Sequence, residues 1–253
     1  MYEPNVQELL RRLKPADLVL DVGGWACPFN RAQWVLDAQP YETRGFYATF
    51  GGAASQGGEK EWFSKATWVV RDICDKAPYP FPDKFFDFFI CSHTLEDLRD
   101  PLWVCQELMR VGKAGYIEIP SREWETIRNI ERPGMAGLSH HRWLIDIHGT
   151  RIDFLQKMST LHVDRRLSLP SYHLRNLTPA QRVQWLWWTN SFEFGERTIH
   201  GPKAQHDELA NFVRQKHPNP FLLALDEKFE CAREYLSRMV RGVRRRIPFL
   251  RDP

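Results

Sequence analysis

The chain has 253 residues, 43% of them hydrophobic, and a formal net charge of +3. That is ample apolar material for a large core and too little charge to imply a nucleic-acid partner by itself. No run of about 18 apolar residues exists to span a bilayer, and the N-terminus carries acids and Pro4 where a secretory signal needs a cationic, then apolar, stretch, so a cytoplasmic globular protein is expected.

From Ala16 the chain alternates strand-like apolar runs with turns and helical stretches, the pattern of an α/β domain with a mainly parallel sheet. Asp17 to Val22 is a compact apolar run ended by Gly23-Gly24, which suits a buried central strand. Trp34 to Asp37 reads as the second strand, Thr67 to Arg71 as the third, Phe85 to Cys91 as the fourth and Ala114 to Ile119 as the fifth. About ten residues separate the first two strands, the minimum for a parallel crossover, so the helix there is one turn or missing. Gly45 to Gly58 has four glycines and little periodicity, which predicts a flexible loop with the makings of a lid. Leu95, Leu98, Leu102, Cys105, Leu108 and Met109 recur at three- and four-residue steps and predict a crossover helix over Leu95 to Val111.

Arg142 to Ile147 and Arg151 to Lys157 complete seven strand candidates as an antiparallel hairpin turning at His148-Gly149. The expected architecture is a Rossmann-like, seven-stranded, mostly parallel sheet with that hairpin at one edge. Residues 1–160 form its domain, and residues 161–253 form a mainly helical C-terminal extension packed on it. Trp185, Trp187 and Trp188 are expected to fill a core or an interface, and Asp207 to Lys216 and Phe221 to Arg246 to be helical, separated by Pro218 and Pro220. Arginines alternating with Leu236, Met239, Val240 and Val243 at the C-terminus suggest weak peripheral contact with an anionic membrane, against the commoner reading of a solvated helix end. The five cysteines are odd in number and form no CxxC pair, so free thiols are expected.

A strand ending in Asp21-Val22-Gly23-Gly24, next to one ending in Asp37, lets a ligand approach the backbone and offers an acid to ribose hydroxyls. A structural turn and a solvated acid explain the same residues about as well. The dinucleotide fingerprint GxGxxG fails, because Trp25 and Pro28 stand where its later glycines belong, which argues against nicotinamide or flavin.

The stretch Arg71 to Ser121 is more specific. Asp72 follows the third strand; Pro80, Phe81, Asp83 and Asp87 approach the fourth; His93, Leu95, Glu96, Asp100 and Pro101 form a turn after it; and Glu107, Arg110, Val111, Lys113 and Gly115 lead into the fifth. In that order they resemble the second half of class I S-adenosylmethionine-dependent methyltransferases, of the methyltransferase type 11-like group. With the first two strands and the hairpin the resemblance covers roughly residues 15–157. It implies S-adenosylmethionine as cofactor, with Asp21, Gly23 and Gly24 along its methionine part, Asp37 on the ribose, Asp72 and Ile73 flanking the adenine, and Ser92 and His93 beneath it. The sequence departs from the group's pattern at Trp25, at the shortened crossover, and at Asp97, where a histidine is usual.

Methyl transfer from a sulfonium needs alignment and exclusion of water more than covalent machinery. Where the acceptor needs a base, His141 and His140 after the fifth strand are the candidates, since a neutral imidazole suits that role. No metal is expected, because no carboxylate or cysteine stands at helix spacing to complete a set with these histidines. The expected function is methylation of a small-molecule or glycan acceptor, with no nucleic acid expected as partner because no NPPY-like motif follows the fourth strand. The alternative is a catalytically inactive Rossmann-like binding module.

Overall fold

The structure is a computed structural model that describes residues 1–217 and, beyond them, residues 219, 223, 225, 228, 229 and 232. The chain divides into two units: Met1–Glu125 with Leu138–Met158 and Leu177–Ile199, and Thr126–Gly137 with Ser159–Asn176 and His200–Pro253.

In the first unit, strands β1 (Val19–Val22), β2 (Trp34–Asp37), β3 (Trp68–Val70), β4 (Phe88–Ser92), β5 (Ala114–Pro120) and β8 (Val183–Thr189) form one sheet in the order β3-β2-β1-β4-β5-β8. The first five are parallel and β8 is antiparallel to β5. Period-2 alternation splits the strands between two cores. Leu20, Val22, Phe89, Cys91, Ile117, Ile119, Leu186 and Trp188 face the side covered by helix α2 (Pro101–Val111). Val19, Ile90 and Tyr116, flanked by Trp185 and Trp187, face helix α1 (Glu3–Arg12). Asp21, Ser92 and Glu118 share that alternation and stand at the carboxyl ends of their strands on the α1 side.

The hydrogen bonding explains three differences from the sequence expectation. The antiparallel edge of the main sheet is β8, not the hairpin: strands β6 (Trp143–His148) and β7 (Arg151–Gln156) pair as expected, but β7 pairs onward with β9 (Glu193–Glu196), making a separate three-stranded sheet. The sheet therefore has six strands rather than seven, and the boundary expected at residue 160 is crossed by 177–199, whose apolar alternation fits the exposed side of β5. Helix α2 begins at Pro101 instead of Leu95, because Asp100 caps it by accepting the Trp103 N–H at 2.9 Å and proline favours the first helical turn.

No helix joins β1 to β2; a run of turns crosses over, tied down where Asp21 Oδ2 accepts the Phe29 N–H at 2.8 Å. Helix α1, which the sequence reading passed over, starts with proline in its first turn and buries Val6 and Leu9 against the sheet. Its exposed side carries Glu8 paired with Arg11 and Arg12.

The second unit contains the turns and isolated bridges of 126–137, helix α4 (Thr160–Val163) and helix α5 (Pro202–Lys216), whereas the short helix α3 (Arg122–Glu125) belongs to the first unit. Ile127 bridges Leu169, and His206 Nε2 meets Asp164 at 3.0 Å. The helix expected over Asp207 to Lys216 is present as α5. The arginine-rich stretch Tyr235 to Arg246 and Cys231 lie outside the described residues. Among the described residues, no helix is long and apolar enough to cross a membrane.

Candidate functional site

The carboxyl ends of β1 and β4 open into a cavity of about 630 Å³, within the usual range for small-ligand sites of about 300–1,000 Å³. Asp21, Gly23, Gly24, Ser92 and His93 line it, so the structure brings together five of the residues singled out from sequence. The 45–58 loop forms much of the opposite wall through Tyr47, Ser55, Gln56 and Gly57. Gly57, at φ +80°, lies so close to Phe29 that an added Cβ would stand 2.2 Å from its ring.

The glycines are held closely. A Cβ on Gly24 would stand 2.2 Å from Asp21 Oδ2, and one on Gly23 would meet Thr94. Burial pushes the Asp21 carboxyl up to about 7, against the opposing pull of the Phe29 N–H. Ser92 Oγ is buried without a hydrogen-bond partner, which is costly unless a ligand or water completes it.

His93 occupies the left-handed region at φ 51°, uncommon for a side chain with a Cβ and typical of positions fixed by their surroundings. Its backbone N–H donates to the Glu118 carbonyl at 2.8 Å, Nε2 lies 3.1 Å from Glu118 Oε1, and Nδ1 lies 3.5 Å from Glu96 Oε1. Burial opposes charge on the ring, but the two carboxylates outweigh it and raise the pKa to about 9. Glu118 lies fully buried in β5. Its partners are His93, Tyr116 Oη, Asn5 and the Tyr2 N–H of the α1 entry, whereas Arg122 pairs with Asp146 at 3.0 Å.

Asp37 and Asp72 stand at the tips of adjacent parallel strands, the Arg71 N–H donating to the Asp37 carbonyl at 2.7 Å. Neither lines the cavity. The Asp37 carboxylate is buried and accepts the Trp25 N–H at 3.0 Å and the Gln39 N–H at 2.8 Å; burial raises its pKa despite these bonds. Asp72 is half exposed and held below the usual carboxylate range by Arg99. Ile73 is buried in the α2-side core, with Tyr79 Oη donating to its carbonyl. The Trp25 indole stacks on Phe46 at 4.8 Å and donates to Thr43 Oγ1 at 3.0 Å, packing beside Val35, Phe63 and Trp68.

A second cavity of about 680 Å³ shares His93, Tyr47 and the start of α1 with the first, and is walled by Pro120, Trp124, Leu138, Arg182 and Val183. His141 and His140, expected as bases, line neither cavity. His141 is buried, its Nδ1 2.8 Å from Glu125 Oε1, and Glu125 also accepts from Lys157 Nζ at 2.7 Å. The Glu125 charge outweighs burial and raises the His141 pKa. Helix spacing supplies no carboxylate to these histidines, but the fold brings a carboxylate oxygen of Asp97, 43 and 44 positions earlier in the chain, within 4.8 Å of a ring nitrogen of each. Tyr47, Trp124 and Arg182 escaped the sequence reading because short 3-10 turns and the one-turn helix α3, far apart in the chain, bring them in.

Residues 50–117 match the model of a family described as a methyltransferase domain, a span running from the loop through β3, β4 and α2 into β5. This span of the chain resembles a methyltransferase domain. No curated protein sequence matches it significantly. Among solved structures it is similar to a chain of the Haloferax volcanii complex between the Trm112 methyltransferase activator and a methyltransferase (18% identity, 47% of this chain and 53% of that one, TM-score 0.33). It is similar as well to a SAM-dependent methyltransferase from Aquifex aeolicus (20%, 51% and 69%, TM-score 0.32) and one from Methanosarcina mazei (16%, 55% and 85%, TM-score 0.35). The chain spans about half the length of the first of these.

S-adenosylmethionine is the cofactor a methyltransferase-type domain implies. The cavity fits it at the methionine end, where a buried acid, close-approaching backbone and the unpartnered Ser92 hydroxyl stand together. At the nucleoside end Asp37 retains lone pairs beyond its two backbone bonds, since a carboxylate has about four acceptor sites. The exposed Asp72–Arg99 pair is of the kind worth about 0–1 kcal/mol, so it is readily exchanged for another donor.

Proposed function

We propose that this chain is an S-adenosylmethionine-dependent methyltransferase that acts, in the cytoplasm, on a small-molecule or glycan acceptor. The observation that carries this reading is the pair of adjoining cavities sharing His93 and Tyr47, one at the β1 and β4 tips and one bounded by Trp124 and Arg182. A donor site and an acceptor site need this adjacency, because in-line transfer requires both reactants in one line with water excluded. When bound, S-adenosylmethionine supplies an electrophilic methyl group on a sulfonium.

In this reading Asp21 faces the cationic methionine end, Ser92 Oγ completes its hydrogen bonding there, and Asp37 and Asp72 hold ribose and adenine, with Ile73 against the base. His93, turned with both ring nitrogens to protein carboxylates, positions the turn between the cavities and is not the base. Trp124 offers a flat apolar face for a sugar ring or aromatic acceptor, and Arg182 a cation for an acidic group. The alternative of an inactive binding module draws on the prior engagement of Asp37 and Asp72.

Calorimetry with S-adenosylmethionine and its demethylated product separates these readings. The expected result is micromolar binding of both, weakened at least tenfold by Asp37→Ala. Absence of binding by the native protein rejects the proposal, and binding without turnover on a panel of sugars and small hydroxylated or carboxylated acceptors favours the inactive module.

A further inference from the structure

We infer that Asp97, His140 and His141 form a binding site for a divalent transition-metal cation such as Zn²⁺. Their ligand atoms lie within 4.8 Å of one another, with Asp97 Oδ1 3.9 Å from His140 Nε2 and 3.8 Å from His141 Nε2. Ligands bound tetrahedrally at about 2.0–2.2 Å around one cation sit roughly 3.3–3.6 Å apart, so a contraction on the order of 1 Å or less closes the set.

The surroundings point the same way. His141 turns Nδ1 to Glu125 at 2.8 Å, and Lys157 Nζ fixes Glu125 from the other side at 2.7 Å. A carboxylate on the far nitrogen is the arrangement that orients a metal-ligating imidazole and raises its basicity. With Nδ1 turned to Glu125, Nε2 faces Asp97 Oδ1 across the gap. At 3.8 Å the two are too far apart to share a proton in an ordinary hydrogen bond.

Asp97 Oδ1 is buried with no hydrogen-bond partner. Beside it Glu96, 1% exposed, has both carboxylate oxygens buried without a hydrogen bond, and its charge acts on both Asp97 and His141. Glu96, Asp97 and Glu125 place three carboxylates here, facing Lys157 and the imidazoles of His93, His140 and His141. A divalent ion on two neutral imidazoles and a carboxylate offsets these carboxylates without protonating the rings. Two nitrogens and one oxygen suit zinc, iron or cobalt better than magnesium or calcium. Three protein ligands leave a fourth position for water or a substrate oxygen. This inference stands whether or not the chain transfers methyl groups.

The test is metal binding by the full-length protein, stripped with chelator and dialysed against Zn²⁺ or Co²⁺. One equivalent per chain is expected by elemental analysis, with a cobalt d–d spectrum in the visible. Asp97→Asn and His140→Gln are expected to weaken binding at least tenfold, Glu125→Gln by about 10–100-fold through the orientation of His141, and His148→Ala, on an exposed hairpin end, not at all. Circular dichroism establishes that each variant is folded. Failure of the native protein to retain either metal, or equal retention by Asp97→Asn and His140→Gln, overturns the inference.

Discussion

Asp21 and His93 face one cavity with opposite charge, yet both make stability fall as pH rises, over different ranges. The Asp21 carboxyl rises to about 7 in the folded state, so between its ordinary range and pH 7 the folded chain binds the extra proton and stability falls as pH rises. His93 rises to about 9, so its contribution is complete below the ordinary histidine pKa of about 6.5 and is lost as pH passes through 9. Urea unfolding at pH 6 and pH 9 is therefore expected to show lower stability at pH 9. In His93→Gln the part of that loss between pH 6.5 and 9 should shrink by about 1 kcal/mol, discounted because the ring is one-third exposed. A cationic ligand beside Asp21 should also expel its proton. Calorimetric titration of S-adenosylmethionine near pH 6.5, repeated in buffers of different ionisation enthalpy, should show proton release, and Asp21→Asn should abolish it.

Some of these residues were legible because local chemistry announces them: a glycine pair after an apolar run, and an ordered set of acids and turns from Asp72 to Gly115. The carboxylate partners were not. Glu118 and Asp97 find theirs across the sheet end, and no spacing within the sequence reports a distance between Asp97 and His141.

At the scale of the element, periodicity served well wherever one strand or helix had a single buried face. The five parallel strands and the His148-Gly149 turn follow it, with Gly149 in the left-handed conformation such a tight turn requires. It was silent about which sheet a strand joins, so the hairpin went to the wrong one and β8 was left unassigned. Helix α1 was legible in principle, since Val6, Leu9, Leu10 and Leu13 repeat at helical steps after Pro4. Leu9, fully buried against the sheet, makes the point measurable: Leu9→Ala should cost about 2–5 kcal/mol of unfolding free energy in urea. A smaller loss would mean that α1 is loosely seated and not a fixed wall of the cavity.

For the whole molecule the decisive contact is the ladder between β5 and β8, seven residue pairs from Ala114↔Thr189 to Pro120↔Val183. Removing everything after residue 160 leaves β5 with an unpaired edge beside Ile117 and Ile119, a template for association with other chains. A fragment of residues 1–160 should therefore emerge from gel filtration as aggregates with weak near-ultraviolet dichroism. A monomeric, well-folded fragment would show that the ladder is dispensable.

The same ladder sets a timetable for the nascent protein. During synthesis at about 5–20 residues per second, roughly 4–15 seconds separate the appearance of β5 from that of β8, because the two ladder ends lie 75 positions apart. Through that interval the growing polypeptide carries a nearly finished sheet with one raw margin, open until the tryptophan-rich strand arrives.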